Sequence, residues 1–497
     1  MTIYTDIQES VRAQSEAAWR ERRWSPAFLR LGNAERRVML ATVDLVMLQS
    51  ALVISVVVRT DLLPDVAAAL AAAKWFVTLA LLWLMVAAVF DGYNLARAAS
   101  TTYGLFAAAG AATVTSLIYL AIPWLTPPVE NRMQAFLFVF LSIQGVSTWR
   151  VIYARLFSHP AFQRRALIVG AGGRGEALAE VLQTEWASRD ANPFRGTGYV
   201  VLGFVDEVPD DRQTVAGLPV LGDGYNLIRM ARTLEADEVV VAVADVDEMT
   251  PELFEAILDC RELGIPVTNM VTLYERLTGR VAVEYASHDV EIASGRDDEA
   301  FLRFYSFSKR LVDTVLAAGA IISMLPIMAG VAVANALTSP GPLFFRQQRV
   351  GWGGRPFKIL KFRTMVPNAE GECGAVWART DDDRVTPIGR WLRKTHLDEL
   401  PQALNVLKGE MSMVGPRPER PEFVGELTRR ISFYRARHAV RPGITGWAQI
   451  NQWYGDSVAA AQEKLEYDLF YVKHASFFLD MLILLRTVAI VLGLRGR

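Results

Sequence analysis

The chain has 497 residues, 52% of them hydrophobic, and a mean hydropathy of +0.21. That length allows two or three domains, and the apolar content exceeds what a soluble protein of this size shows, so part of the chain belongs in lipid. A formal net charge of -1 excludes a general polyanion binder, so nucleic acid is not an expected partner.

The tail over residues 1–37 carries Arg12, Arg20, Arg22, Arg23, Arg30, Arg36 and Arg37. Four apolar stretches follow, at about 38 to 58, 70 to 90, 104 to 125 and 134 to 157, each long enough to cross a bilayer as a helix. The exit from the fourth carries Arg150, Arg155, Arg164 and Arg165, while the loops between are short and nearly free of cations. The positive-inside rule therefore puts both ends of this region in the cytoplasm.

From 166 to about 280, short β-rich runs (ALIVG, GYVVLGFVDE, DEVVVAVA) alternate with helical ones, the pattern of a small parallel α/β domain. Gly170, Gly172 and Gly175 form GAGGRG between a strand and a helix, a context in which the glycines let a phosphate approach the helix N-terminus. Asp206 ends the next strand, farther along than the usual acidic ribose ligand. Nucleotide binding is one reading of this domain; a Rossmann-like fold kept for regulation or assembly is the other. No polar catalytic set accompanies the loop, so hydride chemistry is not expected. Cys260 and Cys373 match no metal-ligand spacing and are expected as reduced thiols in a cytoplasmic setting.

A polar linker over 281–305 leads to a fifth apolar stretch, 311–337. Lys309 and Arg310 precede it and Arg346, Arg349, Arg355, Lys358, Lys361 and Arg363 follow it, so no charge asymmetry drives translocation. Pro326 near its middle would kink a helix. A re-entrant hairpin entering and leaving on one face is expected, against the alternative of a plain fifth span. Tyr305 and Lys309 match a Tyr-x-x-x-Lys dehydratase pattern, but at the mouth of this apolar stretch the match reads as chance.

The exit has a turn at GWGG between two strand-like runs. Period-two alternation puts Phe357, Ile359, Lys361 and Arg363 on one strand face, so two cations point together. Farther on, KTHLDELPQALNVLKGEMSMVGPRPER places Asp398 and Glu399 ahead of Arg417. Thr395 is expected to cap a helix start, Pro401 to sit in its first turn and Gly409 to stop it. Carboxylates at such an entrance stay ionised, and a metal bridging a carboxylate and a diphosphate suits the position. The last run, SFFLDMLILLRTVAIVLGLRGR, is interrupted by Asp480 and Arg486, as an interfacial amphipathic helix would be.

From 309 to about 490 the chain resembles the polyprenyl-phosphate hexose-1-phosphate transferases, the large monotopic phosphoglycosyl transferases of bacterial exopolysaccharide, capsule and O-antigen assembly. The resemblance rests on KRLVD, SPGPLFFRQQRVG, FKILKFRTM, RVTPIGRWLRKTHLDELPQALNVLKGEMSMVGPRP, RPGITGWAQIN and YDLFYVKHASFFLD. Two departures stand out: Leu325 precedes Pro326 where the family often has serine, and Gln452-Trp453-Tyr454-Gly455 follows GWAQIN.

The resemblance implies Asp398 as nucleophile and Mg²⁺ ligand, Glu399 as its dyad partner, and Lys361, Arg363, Arg393 and Arg417 as phosphate contacts. It implies a UDP-sugar and undecaprenyl phosphate as substrates, UMP as product, Mg²⁺ as cofactor, and a likeness to homodimeric, lipid-embedded enzymes of the bacterial inner membrane with the catalytic domain on the cytoplasmic face. The expected fold is an α/β membrane protein. Its parts are a four-helix transmembrane bundle over 38–157, a Rossmann-like parallel α/β domain over 158–280, and a C-terminal α/β catalytic domain over 306–497 anchored by a re-entrant helix over 309–337. The rival readings are a membrane-bound nucleotide-sugar dehydratase or epimerase, and a non-catalytic scaffold of polysaccharide assembly.

Overall fold

The computed structural model describes residues 33–57, 66–90, 101–122, 132–157, 164–187, 199–206, 214–243, 249–285, 299–366, 384–452 and 457–492, with a few single positions between 92 and 127. The basic tail up to Arg30, Cys373 and the Trp453-Tyr454-Gly455 departure lie outside them. The chain divides into two compact units, Met1–Leu277 and Thr278–Arg497.

The first unit opens with four apolar helices, α1 (Asn33–Val57), α2 (Val66–Val89), α3 (Thr101–Leu120) and α4 (Arg132–Phe157). They share one core in which Leu48, Trp83, Ala111, Tyr119, Phe138 and Val146 are buried. Small alanines on α3 let neighbouring backbones approach, the packing that apolar helices use when no hydrophobic contrast drives them together. Arg150, expected as a flanking cation, lies inside instead: its guanidinium pairs with Asp44 of α1, both buried. Arg165 is likewise buried, within a strand of the next domain, and Arg164 pairs with Glu238 at 2.9 Å.

The rest of this unit is a six-stranded sheet of β1 (Arg164–Val169), β2 (Tyr199–Val205), β3 (Thr214–Val215), β4 (Leu218–Gly222), β5 (Glu238–Val241) and β6 (Val267–Asn269), in the order β3-β4-β2-β1-β5-β6. All pairings are parallel except β3 with β4. Helices α5 (Gly173–Ala187), α6 (Leu227–Thr233), α7 (Pro251–Glu262) and α8 (Met270–Thr278) connect them. The strand order reverses between β1 and β5, which defines a Rossmann-like crevice at their carboxyl ends. Cys260 is a buried free thiol in this core.

The second unit begins before the expected linker ends. Val281 and Val283 are buried among Leu427, Tyr434, Leu465 and Leu469, so residues just after α8 are core, not tether. Helix α9 (Glu299–Thr338) is one continuous 40-residue run through Pro326. Pro326 lies inside this run without ending it, and most of the apolar stretch is left unburied, with Ile322, Leu325 and Val333 exposed. Ala317 contributes to one core cluster, and Met324 and Val331 to another. By length and composition Glu35–Val56, Arg132–Leu156 and Tyr305–Thr338 are long and apolar enough to cross a membrane; Ala73–Val89 and Gly104–Leu120 are shorter apolar helices.

After α9 come the antiparallel hairpin β7 (Phe344–Val350) and β8 (Pro356–Phe362), turned by Gly353 and Gly354 at φ 63° and 74°. Then follow α10 (Pro387–Lys394), a 3-10 turn over Leu397–Gln402, α11 (Ala403–Lys408), β9 (Ser412–Val414), α12 (Pro421–Arg430), β10 (Gly443–Thr445), α13 (Trp447–Asn451), α14 (Val458–His474) and α15 (Phe477–Leu492). Strands β9 and β10 pair in parallel. On α15, Asp480 is buried while Phe477 and Phe478 are exposed.

Candidate active site

The dyad sits on a tighter helix than its sequence suggests. Thr395 does not open the next helix: its hydroxyl donates to the Trp391 carbonyl at 2.9 Å and closes α10. His396 then reverses the chain in the left-handed region, φ 56°, and Leu397–Gln402 follows as a 3-10 helix. Gly409, at φ 82°, ends α11 as expected.

At three residues per turn, positions i and i+3 eclipse, so this segment has three rows. Leu397 and Leu400 pack with Met324, Ile327 and Met328 of α9. Glu399 turns toward the cations, and Asp398 heads the remaining row with Pro401. The two carboxylates thus diverge by about 120°, more than an α-helix would allow.

Glu399 is clamped. Lys361 Nζ on β8 donates to its Oε1 at 2.7 Å, and Arg417 Nη2 donates to the same oxygen at 2.7 Å. Burial alone would raise the Glu399 pKa, but the Arg417 and Lys361 charges reverse that and hold it well below the usual carboxylate range. Asp398 is 8% exposed, and no hydrogen bond or ion pair reaches its carboxylate among the described residues. Burial raises its pKa against the opposing charge of Lys361, with Glu399 adding to the rise and Arg417 and Arg393 opposing it. Two adjacent carboxylates are thereby driven apart, the pattern that separates chemical roles.

The loop bearing Arg417 is held from behind by Arg437, Asp468, Tyr434 and Lys464, which no sequence motif marks, and by Arg349, expected only as a flanking cation. Arg437 Nη2 donates to the Arg417 carbonyl at 2.9 Å and to Asp468 Oδ2 at 2.6 Å, with Nη1 donating to the Tyr434 hydroxyl at 2.8 Å. Arg349 Nη1 donates to the Pro418 carbonyl at 3.1 Å, and Glu419 pairs with Lys464. These partners lie up to 69 positions apart, so no local spacing marks them.

Among the expected phosphate contacts, Lys361 and Arg417 meet at Glu399, and Arg393 lies close enough to influence Asp398 while its Nε donates to Thr364 Oγ1 at 3.0 Å. Arg363 goes elsewhere. Strand β8 ends at Phe362, so the alternation stops one residue short of it. Arg363 donates to Asn335 Oδ1 at 2.7 Å and to the Ser339 carbonyl, at the far end of α9. Among the described residues no three His, Cys, Asp or Glu side chains gather as a metal cage.

In the Rossmann-like crevice Gly170 has φ 102°, and a Cβ there would press on the Ala242 and Val243 backbone at 3.1 and 3.2 Å. A Cβ on Gly175 would collide with the Gly170 carbonyl, whereas at Gly172 it would meet nothing. The Asp206 carboxylate accepts the Ala171 N–H at 3.1 Å, bonding the glycine loop itself.

A buried carboxylate, Asp398, thus lies beside a cation-clamped one, Glu399, in the unit that also carries the apolar helix α9. Residues 304–493 match the family model described as bacterial sugar transferase, and residues 88–250 match one described as CoA-binding domain. A UDP-N-acetylgalactosamine-undecaprenyl-phosphate N-acetylgalactosaminephosphotransferase of Aeromonas hydrophila is 42% identical over 52% of this chain and 59% of its own length. A UDP-glucose:undecaprenyl-phosphate glucose-1-phosphate transferase of Xanthomonas campestris pv. campestris is 33% identical over 61% of this chain and 62% of its own length. The chain thus spans about three fifths of these two relatives. The uncharacterized sugar transferase EpsL of Bacillus subtilis is 41% identical over 38% of this chain and 89% of its own length. The chain belongs to the bacterial sugar transferase family.

Proposed function

We propose that the chain transfers a hexose-1-phosphate from a UDP-sugar to undecaprenyl phosphate and releases UMP, the initiating step of exopolysaccharide, capsule or O-antigen synthesis. The observation that carries this is the asymmetry of the dyad: Asp398 is unpaired with a raised pKa, Glu399 is locked between Lys361 and Arg417. An Asp398 oxygen attacks the sugar-side phosphorus, the bond from that phosphorus to the bridging oxygen breaks, and UMP leaves with the electron pair. A phosphate oxygen of the lipid then attacks the same phosphorus and frees the Asp398 carboxylate. Raised basicity favours Asp398 as nucleophile, and Lys361, Arg417 and Arg393 place fixed positive charge where the diphosphate must lie.

A single unpaired carboxylate fits Mg²⁺, which takes one or two protein carboxylates and completes its shell with phosphates and water. Asp398 would hold it with the diphosphate oxygens, and the ion when bound supplies charge neutralisation.

Both ends of α9 bond to the same unit, through Lys309 and Arg310 at one end and Asn335 and Ser339 at the other. That supports re-entry over a plain span, with Phe307, Leu311, Val315, Ile322, Leu325 and Val333 exposed toward lipid. A cytoplasmic catalytic face on the inner membrane follows from the UDP-sugar. The four N-terminal helices are read as membrane spans and the homodimer as the working assembly, on the family likeness. The Rossmann-like domain is assigned to regulation or assembly, because Asp206 already places an anion on the glycine loop where a phosphate would bind.

The dehydratase reading loses its best feature, since Tyr305 and Lys309 both donate to Asp480 Oδ2, at 2.8 and 2.9 Å. The test is to incubate the purified protein with candidate UDP-sugars and undecaprenyl phosphate. UMP and a lipid-linked sugar phosphate are expected; neither product with any UDP-sugar would overturn the proposal and favour the scaffold.

A further inference from the structure

Three charged residues on about one turn of α9, in KRLVD, bond the backbone at two places between the dyad and Arg417. Arg310 Nη1 and Nη2 donate to the Val406 and Leu407 carbonyls at 2.7 and 2.8 Å. Those carbonyls belong to the last turn of α11, the helix that continues directly from the dyad's 3-10 segment, and the Val406 carbonyl also accepts the Gly409 N–H at 3.0 Å. Asp313 Oδ1, on a side chain 4% exposed, accepts the Met413 N–H at 2.9 Å. Lys309 Nζ donates to the next carbonyl, Val414, at 3.0 Å, while held by Asp480 and the Tyr471 hydroxyl at 2.9 and 3.1 Å. Val414 ends β9, three residues before Arg417.

From this geometry we infer that Lys309, Arg310 and Asp313 are positioning residues through which the seating of α9 in the membrane sets the spacing between the Asp398–Glu399 segment and the Arg417 loop. The inference rests on the phosphoryl transfer proposed above. Arg310 grips the helix that continues from the carboxylate segment, and Lys309 and Asp313 grip the strand that leads into the Arg417 loop. Because all three sit on one rigid helical turn, the two sides cannot drift apart independently. Ordinary mooring of an apolar helix needs no bonds to two backbone segments that join a dyad to its cation. A misplacement of about 1 Å at a reacting site lowers the rate by about 10²-fold.

Asp313 gives the cleanest test, since asparagine keeps an acceptor for the Met413 N–H while removing the charge. Full-length Asp313→Asn and Asp313→Ala are compared with wild type in nanodiscs of phosphatidylethanolamine and phosphatidylglycerol, following UMP release and hydrogen exchange over residues 411–418. Asp313→Asn is expected within about threefold of wild-type kcat, and Asp313→Ala to lose about 10²-fold with KM little changed, with faster exchange over 411–418. Wild-type kcat and exchange in Asp313→Ala would overturn the inference, as would equal failure of Asp313→Asn, which would assign the effect to charge. Should Asp313→Ala not fold, Arg310→Lys retains the cation but cannot reach both carbonyls as a fork, and a kcat unchanged from wild type there would overturn it equally. If wild-type protein releases no UMP, the proposed reaction fails, while the exchange comparison still decides the positioning.

Discussion

Asp398 and Glu399 are covalent neighbours with opposite surroundings: Glu399 accepts from Lys361 and Arg417, and Asp398 is buried with no partner among the described residues. Substituting each should therefore move stability and activity in different directions. Asp398→Asn removes a buried, unpaired charge and should raise Tm by a few degrees while lowering UMP release by about 10⁴-fold or more. Glu399→Gln leaves two cations facing each other and should destabilise on the order of 2 kcal/mol. That is less than the ~3–5 kcal/mol of a fully buried pair, because Lys361 and Arg417 keep 18% and 25% side-chain exposure. Thermal melts and UMP assays check both. In wild type, activity should fall as pH falls through the raised Asp398 pKa, with Glu399 still ionised.

Behind Arg417, the pair of Arg437 and Asp468 is 3% and 2% exposed. Asp468→Asn leaves the guanidinium buried without its counter-charge, which should destabilise by about 3–5 kcal/mol in urea. Arg437 also fixes the Arg417 carbonyl, so the folded fraction should show a lower kcat at nearly unchanged KM. Wild-type kcat per folded molecule would remove Arg437 from the support of the site.

The elements most legible in the sequence are those set by local chemistry. The apolar runs became helices, GWGG became a hairpin turn because two glycines take positive φ, and Gly409 stopped α11. Thr395, expected to open the following helix, closes the preceding one, because its hydroxyl can serve either neighbour and bonds the Trp391 carbonyl. Strand alternation misplaced Arg363, since periodicity holds only while the strand lasts and β8 stops at Phe362. The Arg437–Asp468 support was invisible because its partners meet only after α14 folds back.

Gly175 and Gly172 should respond differently to a methyl group. At Gly175 a Cβ runs into the Gly170 carbonyl, so Gly175→Ala should destabilise the first unit by roughly 1–3 kcal/mol through overpacking. At Gly172 the space is open, so Gly172→Ala should stay within about 0.5 kcal/mol of wild type. Equal Tm losses at the two positions would show that the loop is not packed as described.

Where the catalytic unit starts can be tested by truncation. Val281 and Val283 are 0% and 4% exposed in its core, and Arg280 Nη1 pairs with Glu463 at 3.1 Å. Each buried valine contributes about 1.5 kcal/mol or more. A chain starting at Thr278 should fold and retain transfer activity in detergent, whereas one starting at residue 300 should lose roughly 3 kcal/mol and most of its soluble yield. Equal stability of the two would return residues 281–285 to the role of a linker.

The same junction contains a group that titrates near neutrality. Burial raises the Glu466 pKa to about 7; Arg280 opposes the rise, and Glu284 and Glu463 add to it. Arg280 reaches Glu466 only at 3.9 Å, while it lies closer to Glu463, so the attraction is shared and does not offset the desolvation. In the unfolded chain a glutamate titrates at about 4.3. Between these values the folded protein holds the proton more tightly, so stability falls as pH rises from about 4.3 through 7. Glu466→Gln removes the charge that must otherwise be buried, without changing the shape of α14. The variant should match wild type in Tm at pH 5 and exceed it by a few degrees at pH 8. A parallel pair of Tm profiles across that interval would mean that Glu466 is ionised in the folded protein throughout, with Arg280 fully compensating it.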